Sequence, residues 1–163
     1  MLLANVYGPN TDSPAFFENI ANRLESISCE SKIIAGDFNC VLDNKLDKKG
    51  GRSEHKNKKA QTFINSWIEE CDLLDIWRNM HPNEERFTYH QLKPIPVFSR
   101  LDFFLISMGL CGFINHTNIK PGFCTDHSII EMSISLLSHP RGRGFWKFNE
   151  TLLNDINYVR EVR

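Results

Sequence analysis

The chain has 163 residues, 41% of them hydrophobic, with 19 Lys and Arg set against 20 Asp and Glu for a formal net charge of -1. That length supports one domain with a real core and excludes two of ordinary size. The balanced charge excludes a global nucleic-acid signature, so any such binding must come from a local cluster of bases. Residues 2–7 are apolar and run into Gly8-Pro9-Asn10, a turn cluster that stops a strand. Asp12 or Ser13 before Pro14 reads as a helix start, and Phe16, Phe17, Ile20, Leu24 and Ile27 recur at spacings of three and four, predicting a helix that ends near Ser28.

Residues 32–36 (Lys-Ile-Ile-Ala-Gly) form a short apolar run of the kind found in strands buried on both faces. Residues 44–59 turn polar and rich in Lys and Gly, which reads as a long surface loop, and a second helix is predicted over residues 58–71 with Phe63, Ile64, Trp67 and Ile68 inward. Leu73, Leu74, Ile76 and Trp77 make an apolar corner. Residues 86–90 and 97–106 carry strand formers and flank Lys93-Pro94-Ile95-Pro96, predicting a hairpin, and residues 114–119 and 128–136 complete the strands. Strands interspersed with two helices indicate an α/β layered architecture. From His139 onward the basic Pro140-Arg141-Gly142-Arg143-Gly144 and the aromatic Phe145-Trp146-Lys147-Phe148-Asn149 read as a linker, which places a domain over residues 1–138 and a tail over 139–163.

Polar clusters follow several of these strands. Asp37 and Asn39 stand two apart at a strand end, so an extended backbone turns both side chains to one side and Phe38 into the core. A carboxylate beside an amide suits in-line attack on a phosphodiester, the one to deprotonate a water and the other to hold a phosphoryl oxygen. An ordinary strand-to-loop turn uses the same residue types. His127 follows Asp126, and Asp102, flanked by Leu101, Phe103 and Phe104, is the partner that could fix its tautomer; a satisfied loop histidine is the plain alternative. Lys45, Lys48, Lys49, Arg52, Lys56, Lys58 and Lys59 face only Asp47 and Glu54 in sequence, which makes a candidate phosphate-tracking cluster or simply a solvated loop.

Taken together, Asn5-Val6-Tyr7-Gly8-Pro9-Asn10, Gly36-Asp37-Phe38-Asn39, Asp75-Ile76-Trp77-Arg78 with His81-Pro82, Phe87-Thr88-Tyr89, Ser99-Arg100-Leu101-Asp102 and Thr125-Asp126-His127 resemble, in order and spacing, the blocks of the endonuclease/exonuclease/phosphatase superfamily. Within it the resemblance is to the endonuclease domain of LINE-type (non-LTR) retrotransposons, and residues 143–149 resemble the segment that precedes the reverse transcriptase in those elements. The resemblance implies a DNase I-like, two-layer β-sandwich flanked by helices. In that reading Tyr7 contacts the phosphate, Asp37 activates the water, Asn39 binds the phosphate, Asp102 orients His127, and His127 stabilises charge on the phosphoryl oxygens. Asp126 sits at the metal side, and Thr88, Ser99 and Arg100, with Lys48, Lys49 and Arg52 from the basic loop, meet DNA. The cofactor implied is Mg²⁺, with Mn²⁺ as a substitute.

The same resemblance places an Asn and a metal-binding Glu on strands ahead of the Asn5-Val6-Tyr7 block, so the chain is expected to hold only the C-terminal part of the domain and to be inactive and poorly soluble alone. The function expected of the intact form is Mg²⁺-dependent nicking of double-stranded DNA beside a downstream reverse transcriptase. Alternatives are an abasic-site repair endonuclease, a small-substrate phosphoesterase, or a non-catalytic remnant with weak nucleic-acid binding. Five cysteines, odd in number and never spaced Cys-x-x-Cys, argue against a disulfide framework and for a reducing compartment. Residues 1–7 lack a basic leader, and no stretch approaches the ~20 apolar residues of a membrane span, so an intracellular, nuclear and cytoplasmic protein without a signal peptide is expected.

Overall fold

A computed structural model describes residues 1–51 and 57–135. In chain order the elements are β1 (Leu2–Tyr7), α1 (Pro14–Glu25), β2 (Lys32–Asp37), β3 (Lys48–Gly50), α2 (Lys58–Glu70), β4 (Leu73–Asp75), α3 (Ile76–Met80), β5 (Tyr89–Gln91), β6 (Val97–Ser99), β7 (Asp102–Ser107), a 3-10 segment (Met108–Phe113), β8 (Ile114–Lys120) and β9 (Ile129–Ile134). The central sheet has the order β1-β2-β7-β4; β3-β6-β5 and β8-β9 form two further sheets. β1 and β2 run parallel, and β2 with β7 and β4 with β7 run antiparallel.

The apolar run of β2 is buried on both faces, as its sequence predicts. Ile34 joins one core cluster, with Phe17, Leu24, Ile64, Trp67 and Phe103 under α1 and α2. Its neighbour Ile33 joins the other, with Ile76, Ile106 and Leu110, against which Ile114, Met132 and Ile134 of the β8-β9 sheet pack. The result is a helical layer, the central sheet and a second, two-stranded β layer, which is the flanked β-sandwich expected. Phe38 is fully buried between Phe17, 6.1 Å away and stacked, and Phe103, 5.3 Å away. α2 begins at Lys58 with a remote cap: Asp12, ahead of α1, accepts from the backbone N–H of Lys59 and Ala60.

Four expectations need correction. α1 stops at Glu25, not near Ser28, because the Ser26 hydroxyl donates back to Arg23 O and diverts the chain from the helical ladder; Ile27 is left exposed. The polar stretch after Asn44 contains β3, whose backbone pairs with β6 although Lys48-Lys49-Gly50 carries no apolar side chain. The single strand expected over residues 97–106 is two, β6 and β7, in different sheets. The break comes at Arg100 and Leu101, and the backbone N–H groups of Leu101 and Asp102 both donate to the Thr88 hydroxyl. Finally, Asn39 is not extended but left-handed, at φ 49°. The tail from His139, with Trp146, and the boundary at 138/139 lie outside the described residues.

Candidate active site

Strand register brings the site together. Tyr7 is paired with Asp37 across β1 and β2, and Asp37 with Asp102 across β2 and β7, so three polar side chains line up at one end of three adjacent strands. Gly36 makes the close approach possible. Its φ is +137°, and a Cβ there would lie 2.0 Å from Val6 O, so β1 could not sit where it does beside any other residue. Tyr7 stands 74% exposed at the sheet edge, whereas the Asp37 and Asp102 carboxylates are 14% and 15% exposed.

The loop after β2 is held from several sides. Gly8 N donates to Asp37 O at 2.7 Å, Phe38 N to Leu101 O at 2.8 Å, and Asn39 N to Asp37 Oδ1 at 2.8 Å. Asn39 Nδ2 donates to Gly8 O, while Asn39 O accepts from Asn57 Nδ2 at 2.7 Å. Asp37 and Asn39 therefore do face one cleft, through an aspartate-anchored turn with Asn39 in the left-handed region and not through the period of a strand. One of the two amide hydrogens of Asn39 is already committed to Gly8.

His127 arrives from the loop before β9. Its backbone forms an isolated antiparallel bridge with Tyr89, and its neighbours are tied to the same strand, with His90 N donating to Asp126 O at 2.9 Å and Ser128 N to Thr88 O at 2.6 Å. The ring is fixed by Nδ1, 3.0 Å from Asp102 Oδ2, which leaves Nε2 pointing toward Asp37 Oδ2 at 4.0 Å. With Asp102 accepting from Nδ1–H, the neutral ring presents an acceptor at Nε2; the protonated ring presents a donor. Burial, with the Asp102 charge adding to it, raises the Asp37 carboxyl above its ordinary range, although the Asn39 N–H and the His127 ring oppose the shift. A carboxylate raised in this way is a stronger base than an exposed one. Cys40, beside the cleft, is buried, and that burial pushes its thiol up to about 12, which removes it as a nucleophile.

Among the residues expected to meet DNA, the structure separates two groups. Lys48 lines the cleft, and Ser99, though nearly buried, reaches its wall. Lys49, the next residue of β3, pairs instead with Glu85 at 3.2 Å, and Arg52 lies outside the described residues. Thr88 and Arg100 are buried beneath the cleft and are not groove residues. Arg100, 1% exposed, grips Asp47 through Nε at 2.8 Å and Nη2 at 2.9 Å, and Asp75 through Nη2 at 2.6 Å, with its face over the rings of Trp77 and Phe103. Burial works against its charge, but Asp75 and Asp47 more than offset this and hold its pKa above the usual value. Arg78 brings a second guanidinium to Asp47, at 2.7 Å.

Asp126, expected at the metal side, is exposed on the rim of the cleft. Among the described residues, the acidic, histidine and thiol side chains close enough to share one cation are Asp37, Asp102 and His127, with ligand atoms within 4.8 Å of one another. The sequence reading missed Asp47, Asp75 and Asn57. Asp47 precedes Lys48-Lys49 in a polar stretch, and nothing local marks it as fully buried.

The cleft that holds these groups has a volume of about 1200 Å³ and runs past Tyr7, Asp37, Asn39, Lys48, Asp102 and His127. That exceeds the ~300–1,000 Å³ usual for small-molecule pockets. No helix among the described residues is long and apolar enough to cross a membrane.

No family model matches the chain. It is 31% identical over 165 residues to the transposon TX1 uncharacterized 149 kDa protein of Xenopus laevis, a match that covers 99% of this chain and 12% of that protein. Its fold is similar to that of an AP endonuclease from Archaeoglobus fulgidus, with a TM-score of 0.69, 16% identity and coverage of 83% of this chain and 62% of that one. It is similar also to the 3'-5' exonuclease NExo from Neisseria meningitidis, with a TM-score of 0.67, 17% identity and coverage of 81% and 60%. The catalytic domain of Xenopus laevis APE2 matches with a TM-score of 0.65, 19% identity and coverage of 81% and 49%. The chain thus spans about half to three fifths of these solved structures and about an eighth of the transposon protein. The chain is similar in sequence to a transposon protein and in fold to AP endonucleases and an exonuclease.

Proposed function

We propose that the cleft hydrolyses a phosphodiester bond of double-stranded DNA with a divalent cation, as the nicking endonuclease of a transposon polyprotein. The observation that carries this is the convergence of Asp37, Asp102 and His127 from two strand ends and a loop, with one carboxylate raised in basicity and the other bonded to the imidazole. Asp37 takes the proton from a water, whose oxygen attacks phosphorus as the bond to the 3′ oxygen breaks; the 3′ oxygen leaves and picks up a proton, giving a 3′-hydroxyl and a 5′-phosphate. Asn39 and Tyr7, at the same end of the sheet, position the phosphate. Asp102 holds His127 so that Nε2 faces the phosphoryl oxygens, where the protonated ring offsets their growing charge. The two carboxylates suit a hard divalent cation, Mg²⁺ or Mn²⁺, which when bound supplies Lewis-acid stabilisation of the phosphoryl group.

The width of the cleft and Lys48 on its wall favour a polymeric, anionic substrate over a small phosphate ester. We infer further that the chain alone does not nick. Two carboxylates and one imidazole are a thin set for a cation that prefers six oxygens, and Leu3 and Tyr7, 66% and 74% exposed, leave one face of edge strand β1 open to association. Asp126, on the rim, is a further candidate to meet the cation. A nuclear site of action and a reverse transcriptase in the same polyprotein follow from the transposon reading.

Plasmid nicking with Mg²⁺ tests the proposal, run with this chain alone and with a longer form in which further strands of a similar nuclease are joined ahead of residue 1. Asp37→Ala and His127→Ala serve as controls. Nicking by the longer form, abolished in both controls, is the expected result; nicking unchanged by either substitution rejects the assignment, and absence from both forms favours a non-catalytic remnant.

A further inference from the structure

We propose that Thr88 is the positioning residue of this site and sets the alignment of Asp102 with His127 from below. It bonds to Asp102 and to the neighbour of His127 through different atoms. Its hydroxyl oxygen accepts from Asp102 N at 3.1 Å and from Leu101 N at 2.9 Å, the two N–H groups at the break between β6 and β7. Its carbonyl accepts from Ser128 N at 2.6 Å, one residue past His127. Its own N–H donates to Ser99 O at 3.0 Å, which ties it to β6. One fully buried residue thereby fixes the backbone on both sides of a contact whose members are 25 residues apart in sequence.

The chemistry of the side chain explains the choice. The two N–H groups stand at the entry to β7 and are partly buried, and a buried N–H left without an acceptor incurs a penalty of about 1–3 kcal/mol. A hydroxyl oxygen has two lone pairs and can serve both at once. Valine has the same shape and no acceptor, and serine keeps the acceptor and loses only a methyl group. Removing the acceptor frees the backbone at Asp102 to seek other partners, and a carboxylate that moves with it no longer meets Nδ1 of His127. The catalytic meaning of this alignment rests on the nuclease reading above; the alignment itself does not.

The test is therefore made first without DNA, on the whole chain. In the wild-type protein the Nδ1 proton of His127, with Asp102 as its acceptor, is expected to give a downfield NMR resonance, and Asp102→Asn supplies the reference for the altered pair. Thr88→Val is expected to shift that resonance toward the Asp102→Asn position or broaden it away while the indole signals of Trp67 and Trp77 stay in place; Thr88→Ser is expected to keep it. A wild-type resonance in Thr88→Val, or loss in Thr88→Ser equal to that in Thr88→Val, overturns the proposal. Should Thr88→Val fail to fold, amide exchange in the wild type decides: protection of Leu101 and Asp102 by about 100-fold or more over the unfolded chain supports the dual bond, and fast exchange at Asp102 overturns it. A nicking assay on the longer form reports on the nuclease reading separately.

Discussion

His127 Nδ1 lies 3.0 Å from Asp102 Oδ2, and both side chains are largely shielded from solvent. In the proposed mechanism the pair acts as a unit, because Asp102 fixes the ring whose Nε2 faces the phosphate. In the nicking-competent form, His127→Ala and Asp102→Ala should each lower turnover by about 10²–10⁴-fold, and the double variant should fall no further than His127→Ala alone. Additive losses in single-turnover kinetics would show that Asp102 acts independently of the ring.

Asp37 exacts a cost in stability. Burial raises its folded-state pKa above the unfolded value, so between those two values the folded chain binds more protons than the unfolded one. Stability therefore falls as pH rises through that window, and the full cost is present above it. Asp37→Asn keeps an acceptor for Asn39 N and removes the charge. The variant should be more stable than wild type at pH 7 by on the order of 1 kcal/mol and should lose that advantage once the pH drops below the unfolded value of 3.8. Thermal unfolding of both proteins at pH 7 and pH 3 checks this; an advantage of equal size at both rejects the electrostatic cause.

Arg100 is the one large cation sealed in the described core, and its removal takes the cation from Asp75 and leaves Asp47 with Arg78 alone. Arg100→Ala should destabilise by about 3–5 kcal/mol, measured by urea unfolding, and Arg100→Lys should recover only part, since an ammonium cannot match the bidentate grip on Asp47. Asp47→Asn should be costly too, with strong coupling in the double variant. A stable Arg100→Ala protein with weakened DNA binding would instead return Arg100 to the groove where the motif resemblance placed it.

How far the sequence could be read depends on where the signal was stored. The β1, β2, α1 and α2 segments were legible because apolar spacing is local, and Asp37, Asp102 and His127 because three polar clusters at strand ends rarely coincide without cause. The roles of Thr88 and Arg100 were not legible. Polar residues in a nuclease-like motif suggest contact with substrate, and only partners 13 to 53 residues away show that these two face inward. β3 escaped because its pairing uses backbone groups alone, and the conformation of Asn39 because an asparagine fits both a strand end and a left-handed turn.

Gly36 offers a test of the register that assembles the site. A Cβ there meets Val6 O at 2.0 Å and Asn5 Oδ1 at 2.8 Å, and φ +137° is unfavourable for any side chain. Gly36→Ala should push β1 away from β2, lowering stability by about 3 kcal/mol or more and loosening Tyr7 and Asp37 together. Circular dichroism melts and amide exchange along residues 2–7 would detect it; a melt within a degree of wild type would mean that β1 tolerates displacement and does not define the site.

Lys48 and Lys49 are adjacent in sequence and opposite in consequence. Lys48 faces the cleft, whereas Lys49 turns to Glu85 and is 67% exposed away from it. If DNA lies along the cleft, each phosphate neutralised releases counterions, so Lys48→Ala should reduce the slope of log affinity against log salt by about 0.9. Lys49→Ala should leave that slope nearly unchanged, because Lys49 does not line the cleft and its side chain turns to Glu85. Fluorescence anisotropy with a labelled duplex between about 50 and 200 mM salt measures both slopes in the nicking-competent form. Equal changes for the two variants would mean that the basic segment attracts DNA diffusely, as a charged loop would, and that the cleft does not set the path of the duplex.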